Sequence, residues 1–98
     1  MLLEIQVLPT PVGTPDDRYR NVDAAIAVIA ASGLKDEVDA MGTTVEGPPD
    51  EVWAVARAAH EACLAVGADR VMTMIKASQS ADPATQSTIT SLTGKYRA

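Results

Sequence analysis

The order of two kinds of apolar periodicity constrains the fold of this chain more than any other feature. Leu3 to Leu8 alternate apolar and polar residues, as a strand does, and Val22 to Ile29 then recur at helical spacing. The second half repeats the order, with alternation from Glu37 to Gly47, a helical stripe from Val52 to Val66, and alternation from Arg70 to Ala77. The middle alternating segment is long enough for two strands joined by a turn, so the predicted order is β-α-β-β-α-β.

Two βαβ crossovers joined by a hairpin predict an α+β fold, the ferredoxin-like sandwich. Its sheet has four antiparallel strands, and its two helices lie on one face. We expect this domain to occupy residues 1–77, followed by a C-terminal tail over residues 78–98 that contains one short helix from Asp82 to Leu92. Pro9 is expected to end the first strand, because proline cannot donate to a ladder. Thr14 to Asp17 is expected to begin the first helix, because it combines cap residues, a proline and early acids.

Composition excludes several classes of function. The formal net charge of the 98 residues is -5, which argues against nucleic-acid binding. The chain has one cysteine and one histidine, so neither a disulfide nor a metal framework is expected. The longest apolar run, Ala24 to Ala31, is too short to span a bilayer, and Glu4 interrupts the start, so we expect no signal peptide and a cytoplasmic location. Only 3% of the residues are aromatic, and a core of small side chains favours self-association.

The alternation assigns each strand residue to a face of the sheet. Thr43 and Thr73 fall on the face that the helices cover, on either side of the first strand. The opposite face combines charged residues with Leu8, Met72 and Met74, and methionine is common on adaptable binding surfaces. We therefore expect this open face to pack partly on another subunit. The two threonines either form local hydrogen bonds or point into a ligand cavity, and the alternation alone leaves both interpretations open.

Several short motifs, in the right order between Leu3 and Lys76, resemble those of the small thiamine-binding protein family, which is related to the two-domain YkoF type. The matching positions are Glu4-Ile5, Val7, Pro9, Ser32-Gly33-Leu34, Met41-Gly42-Thr43, Glu46-Gly47, His60-Glu61, Arg70-Val71, Thr73 and Ile75-Lys76. The resemblance implies the ferredoxin-like fold and tetramers formed by sheet-to-sheet packing. Family members usually continue with an acidic, arginine-rich stretch after the last strand, whereas this chain has Ala77 to Asp82 there. Any ligand or subunit contact that the family makes with that stretch is therefore not expected to be preserved.

The resemblance implies non-catalytic binding of thiamine, vitamin B1, or of its hydroxymethylpyrimidine half, in a pocket between the sheet and the helices. No cofactor is expected, and the assembly is expected to be a homodimer that forms a homotetramer. The candidate ligand-binding residues are Thr43, Gly42, Thr73, Glu46, Gln6, Thr10 and Trp53. The alternative is an oligomerising scaffold module whose open sheet face binds a partner protein.

No catalytic constellation accompanies these candidates. His60 has no nucleophile or orienting partner in a recognisable motif, so we expect it to pack or to form a structural hydrogen bond rather than to act as a general base. Cys63 lies on the apolar stripe of the second helix and is expected to behave as a small hydrophobic residue. Lys95 and Arg97 are expected to form a solvated end of the tail.

Overall fold

The computed structural model describes residues 1–97, and in that range the chain forms four strands and three α-helices. The strands and α-helices, in chain order, are β1 Leu2–Thr10, α1 Arg20–Ala31, β2 Lys35–Asp39, β3 Gly42–Glu46, α2 Pro49–Ala65, β4 Arg70–Ser78 and α3 Ile89–Thr93. Single 3₁₀ turns span Pro83–Thr85 and Gly94–Tyr96. Ala98, the last residue of the predicted tail, lies outside the described residues.

The four strands form one sheet in the order β2-β3-β1-β4, and every neighbouring pair is antiparallel. Ile5 in β1 faces Thr43 in β3 on one side and Ile75 in β4 on the other. The predicted α+β sandwich is therefore confirmed, including the hairpin, whose two-residue turn is Ala40-Met41.

The core lies between the sheet and the two long helices. Its largest fully buried side chains are Leu3, Ile29, Val45, Val52 and Cys63. Small buried alanines, Ala25 from α1 and Ala56 and Ala59 from α2, complete the layer and let the helices approach the sheet and each other closely. No helix within residues 1–97 combines the length and the apolar character that crossing a membrane requires.

The first strand extends beyond the predicted boundary. It includes Pro9, which lies opposite Val71 of β4, and it ends at Thr10. The prediction failed because β3 pairs with β1 only as far as Ile5. At Pro9 the strand has a partner on one side only, and a proline is tolerated where no donor is needed.

The first helix begins at Arg20, later than the sequence predicts. Thr14 to Asp17 instead closes a turn of its own. The Thr14 amide donates to the Asp17 carbonyl oxygen at 2.8 Å, and the Asp17 amide donates to the Thr14 hydroxyl at 2.9 Å. Thr14 and Asp17 form their hydrogen bonds with each other in this turn, so they do not cap the first turn of α1.

The tail contains three short helical pieces rather than one helix from Asp82 to Leu92. Asp82 caps the first 3₁₀ turn through Ala84, and Gln86 is already extended, so helical geometry ends there. A second helix, α3, begins after Thr88 with a capping box. The Thr88 hydroxyl accepts from the Ser91 amide, and the Ser91 hydroxyl accepts from the Thr88 amide. The single predicted helix is wrong because the segment contains two separate caps.

The tail lies against the open face of the sheet over β2 and β3. Ile89 is buried there, and its amide donates to Glu46 Oε1 at 3.1 Å. Arg97 forms ion pairs with Glu37 and with Asp39, so it is not the solvated end that the sequence predicts. The half of the open face formed by β1 and β4 keeps exposed apolar side chains, which are Leu8, Met72 and Met74.

Candidate functional site

A cavity of about 190 Å³ lies between the sheet, α1 and the β2–β3 turn. Its walls come from three elements: Ile5, Gln6 and Val7 of β1; Val22, Ala25, Ile26 and Ile29 of α1; and Asp39, Ala40, Met41, Gly42 and Thr43 of the hairpin. The walls are mainly apolar and carry few polar groups, as is usual for small-molecule sites. Met41 is 74% exposed, so the hairpin turn marks the side on which the cavity opens to solvent.

Thr43 supplies the buried polar side chain in the wall. It faces Ile5 across the β1–β3 ladder, lies on the helix side of the sheet and is 4% exposed. No hydrogen bond to its hydroxyl is found among residues 1–97, and no fully sealed side-chain nitrogen or oxygen in that range lacks a partner. The Thr43 hydroxyl is therefore accessible, and the cavity that the residue lines is where a ligand can reach it.

Gly42 lines the same cavity and leaves little room for a side chain of its own. A Cβ atom at this position would lie 3.2 Å from the Ile5 carbonyl oxygen and 3.4 Å from Glu4 Cγ. Glycine therefore lets β3 approach β1 closely at the start of the strand. The close pairing of the two strands at this point places Thr43 directly opposite Ile5 at the cavity wall.

Thr73 lies on the helix side at the other flank of β1, as the alternation predicts, but it does not line this cavity. Its hydroxyl is 2.5 Å from Nδ1 of His60, which extends from α2. Of the two readings that the sequence left open, a local hydrogen bond describes Thr73 and a cavity-lining hydroxyl describes Thr43. The same contact places His60 in a hydrogen bond between α2 and β4, which agrees with the structural hydrogen bond that the sequence predicts for it.

The remaining candidates are spread over the molecule. Gln6 lines the cavity with Thr43 and Gly42. Glu46 lies under the tail on the open face, where its carboxylate accepts the Ile89 amide and lies 3.8 Å from Lys35 Nζ. Trp53 is 47% exposed on α2, and Thr10 is exposed at the end of β1, and neither lines the cavity. The structure thus brings together three of the seven candidates.

Sequence reasoning missed the contribution of α1 and of the turn to the cavity wall. Val22, Ala25, Ile26 and Ile29 were visible as a helical apolar stripe, but such a stripe predicts a core contact equally well. The sequence did offer one signal for this wall: the turn residues Ala40 and Met41 lie between the apolar stripe of α1 and Thr43. Asp39 is the one ionisable group among the residues that line the cavity within the described range.

Cys63 lies fully buried in the core. Its Sγ donates to the Ala59 carbonyl oxygen at 3.7 Å, in the geometry of a helical residue bonding one turn back. Burial raises the pKa of the Cys63 thiol above its ordinary value, and a backbone hydrogen bond partly opposes that change. The thiol is therefore held in its neutral, unreactive form.

The sequence profile of the thiamine-binding protein family matches residues 3–96 of this chain. Among curated relatives, a UPF0045 protein of Synechocystis sp. is 38% identical over a region that covers 78% of this chain and 61% of that protein. A UPF0045 protein of Clostridium perfringens is 36% identical over 76% of each chain.

Two solved structures have the same fold over nearly all of this chain. A domain of unknown function, DUF77, from Bacillus cereus superposes with a TM-score of 0.84 at 38% identity, covering 98% of this chain and 88% of that one. A Thermotoga maritima protein, assigned provisionally to thiamine biosynthesis or salvage, superposes with a TM-score of 0.80 at 26% identity, covering 98% and 97%.

Proposed function

The chain belongs to the thiamine-binding protein family, and on that premise we propose that it binds thiamine, or the hydroxymethylpyrimidine half of thiamine, in the cavity beside Thr43. The observation that carries the proposal is the Thr43 hydroxyl: the residue is buried and lines an apolar cavity, and its hydroxyl stays accessible there with no hydrogen-bond partner within residues 1–97. An accessible hydroxyl in an apolar cavity favours a ligand that can hydrogen-bond to it.

The volume of the cavity limits how much of the ligand enters it. A cavity of about 150 Å³ accommodates a benzene ring, and drug-sized ligands occupy pockets of about 300–1,000 Å³. At about 190 Å³ this cavity suits one substituted six-membered ring rather than a two-ring molecule. The pyrimidine therefore enters between β1 and α1, and the thiazolium ring of thiamine stays at the mouth beside the hairpin turn.

The polar chemistry of the wall suits an aminopyrimidine. The Thr43 hydroxyl can donate to a ring nitrogen or accept from the exocyclic amine. Ile5, Val7 and Ile26 offer an apolar surface on which the ring can pack. We assign no catalytic role to these groups, because hydroxyl and aliphatic side chains provide neither an activated nucleophile nor a general base.

A second proposal concerns the open face of the sheet, where the family resemblance favours assembly into a homodimer and then a homotetramer. Leu8 and Met72 are neighbours across the β1–β4 ladder, with exposures of 40% and 66%, and Met74 is 58% exposed beside Gln6. An exposed apolar group of this kind on a sheet favours burial against another chain. The tail already covers the β2–β3 half, so the β1–β4 half is the surface that remains for a second subunit.

Calorimetric titration with thiamine, followed by competition with hydroxymethylpyrimidine, tests the binding proposal. We expect saturable binding of thiamine and displacement by the pyrimidine, since both place the same ring in one cavity. Absence of binding by either compound would contradict the proposal and would leave assembly through the open face as the function to test.

A further inference from the structure

The first strand loses its partner on one side where it reaches the cavity. On the β4 side the pairing of β1 continues from Leu2 to Thr10, whereas on the β3 side it ends at Ile5. Burial changes at the same point, because Leu3 and Ile5 are buried and Val7 is only partly buried. Val7 lines the cavity, together with the residues of the β2–β3 turn. The cavity therefore lies where β1 has a free edge.

The hydrogen bonds at this edge show which way the main chain of β1 points. Just before β1, the Met1 terminal amine donates to the Gly47 carbonyl oxygen at 2.8 Å, and the Gly47 amide donates to the Met1 carbonyl oxygen at 3.1 Å. Further along, the Ile5 carbonyl oxygen lies 3.2 Å from where a Cβ atom on Gly42 would be, so it also points towards β3. Every second residue of the strand thus presents its amide and carbonyl to the β3 side, as in a regular antiparallel ladder.

Val7 is the next residue of β1 whose main chain points to that side. The register between β1 and β4 is continuous, with Val7 opposite Thr73, so no bulge interrupts the alternation. No residue of β3 lies opposite Val7, and no turn or loop within residues 1–97 supplies a main-chain partner for it. The Val7 amide and carbonyl therefore offer one donor and one acceptor to the space between β1 and the hairpin turn.

The residues of the cavity wall show that the cavity reaches this strand edge. Gln6 lines the cavity, although the alternation places its side chain on the open face, where it lies opposite Met74. Asp39 also lines the cavity, although its carboxylate pairs with Arg97 on the open face. Side chains on the open face cannot line a cavity on the helix side, so these residues contribute main-chain atoms. The ligand space therefore extends to the backbone of β1 beside Val7.

From this geometry we infer that the Val7 main chain binds the aminopyrimidine edge of the ligand, in the place that one more residue of β3 would occupy. The inference rests on the proposed binding of thiamine or its pyrimidine half. The exocyclic amine donates to the Val7 carbonyl oxygen, and the adjacent ring nitrogen accepts from the Val7 amide, as the groups of a partner strand do. The Thr43 hydroxyl, opposite Ile5 in the ladder, donates to the second ring nitrogen.

This arrangement makes the exocyclic amine the group that the cavity selects. In oxythiamine an oxygen replaces that amine, and the adjacent ring nitrogen carries a proton. A carbonyl oxygen then faces the Val7 carbonyl and an N–H faces the Val7 amide, so both main-chain groups lose their partners. We expect oxythiamine, which has the size and charge of thiamine, to bind about tenfold more weakly or worse. Equal affinity for the two compounds would overturn the role of Val7.

Amide hydrogen exchange followed by NMR tests that role without any substitution. In the free protein we expect the Val7 amide to exchange faster than the amides of Ile5 and Gln6, which point to β3 and β4 respectively. Saturating thiamine should slow exchange at Val7 by about tenfold or more and change the other two much less. A Val7 amide that is already protected in the free protein, or that thiamine leaves unchanged, would contradict the inference.

A pair of variants isolates the amide of Val7. Val7→Pro removes the amide proton and leaves the ladder with β4 intact, as Pro9 does at the next position that points the same way. Val7→Ala is the matched control, because it also alters the side chain but keeps the amide. Thiamine should bind Val7→Pro about two- to tenfold more weakly than Val7→Ala.

The outcomes separate this inference from the proposed function. Equal affinity of Val7→Pro and Val7→Ala for thiamine would overturn the role of Val7 while the proposed function stands. If Val7→Pro does not fold, the exchange experiment on the wild type decides. Failure of the wild type to bind either thiamine or hydroxymethylpyrimidine would instead overturn the proposed function, and the role of Val7 with it.

Discussion

The Thr73 hydroxyl lies 2.5 Å from Nδ1 of His60, and this contact ties β4 to α2. Thr73 and Thr43 occupy equivalent positions on the two flanks of β1, opposite Val7 and Ile5 respectively. The Thr73 hydroxyl is hydrogen-bonded within the fold, whereas the Thr43 residue lines the cavity. Near-symmetry of the sheet therefore does not imply two ligand-binding threonines.

Removing the His60 side chain should lower the stability of the protein and should not change what happens to thiamine. In His60→Ala the partly buried Thr73 hydroxyl loses its partner, which should lower the free energy of unfolding by about 1–3 kcal/mol. Adding Thr73→Val should recover part of that loss, since no unpaired hydroxyl then remains. Denaturant unfolding of the single and double variants measures this. Thiamine incubated with any of them should be recovered intact, and a breakdown product that requires His60 would establish an enzyme instead.

A charge on the β1–β4 half of the open face should divide the assembly. Met74→Asp places a carboxylate where we propose a second subunit packs, and burying an unpaired charge is strongly unfavourable. Leu64→Asp is the control, because Leu64 is 44% exposed on α2, away from the open face. Light scattering over a dilution series should show smaller particles for Met74→Asp only. A wild-type monomer at high micromolar concentration would refute assembly.

The Cys63 thiol should give the stability of the protein a dependence on pH in the alkaline range. Its folded-state pKa is raised by burial above the ordinary value of 9.0, so the unfolded chain loses the proton first as pH rises. The stability from the buried neutral thiol is thus complete below pH 9.0 and is lost as pH rises from there through the folded-state pKa. Comparing unfolding of wild type and Cys63→Ala across this range isolates the effect. Parallel pH profiles would show that the thiol does not contribute.

The contact between Glu46 and the tail should anchor α3 on the sheet. The Glu46 side chain is 18% exposed, and a hydrogen bond to a charged acceptor is worth about 1.5–3 kcal/mol. Glu46→Ala should therefore loosen the tail and increase its cleavage in limited proteolysis. Glu61→Ala removes an exposed carboxylate of an i,i+4 pair on α2 and should leave the cleavage pattern unchanged. Unaltered cleavage in Glu46→Ala would mean that Ile89 packing alone holds the tail.

The fold was predictable because periodicity reports which residues face the core. Leu3 and Ile5, for example, alternate in sequence and are both buried in β1. The details that escaped prediction depend on contacts between distant residues. Pro9 stays in β1 because β3 ends its pairing at Ile5, and the tail lies on the sheet because Ile89 meets Glu46 across 43 positions of sequence.

The candidate site was predictable only in part, for a related reason. Alternation placed Thr43 and Thr73 on the correct face, but it cannot tell which hydroxyl meets a side chain from a helix. His60 reaches Thr73 and no side chain of α1 satisfies Thr43, and that difference depends on how each helix packs. Arg97, at the far end of the chain, gave no sequence signal of its contact with Asp39.

The central claim is that the Thr43 hydroxyl binds the pyrimidine ring, and paired titrations of Thr43→Val and Thr44→Val with thiamine test it most directly. Thr43→Val keeps the shape and the strand propensity but removes the hydroxyl, which should cost about 1–3 kcal/mol of binding free energy, or roughly a tenfold loss of affinity or more. Thr44 pairs with Glu4 on the open face, so Thr44→Val should bind thiamine nearly as the wild type does. Wild-type affinity in Thr43→Val would contradict the account.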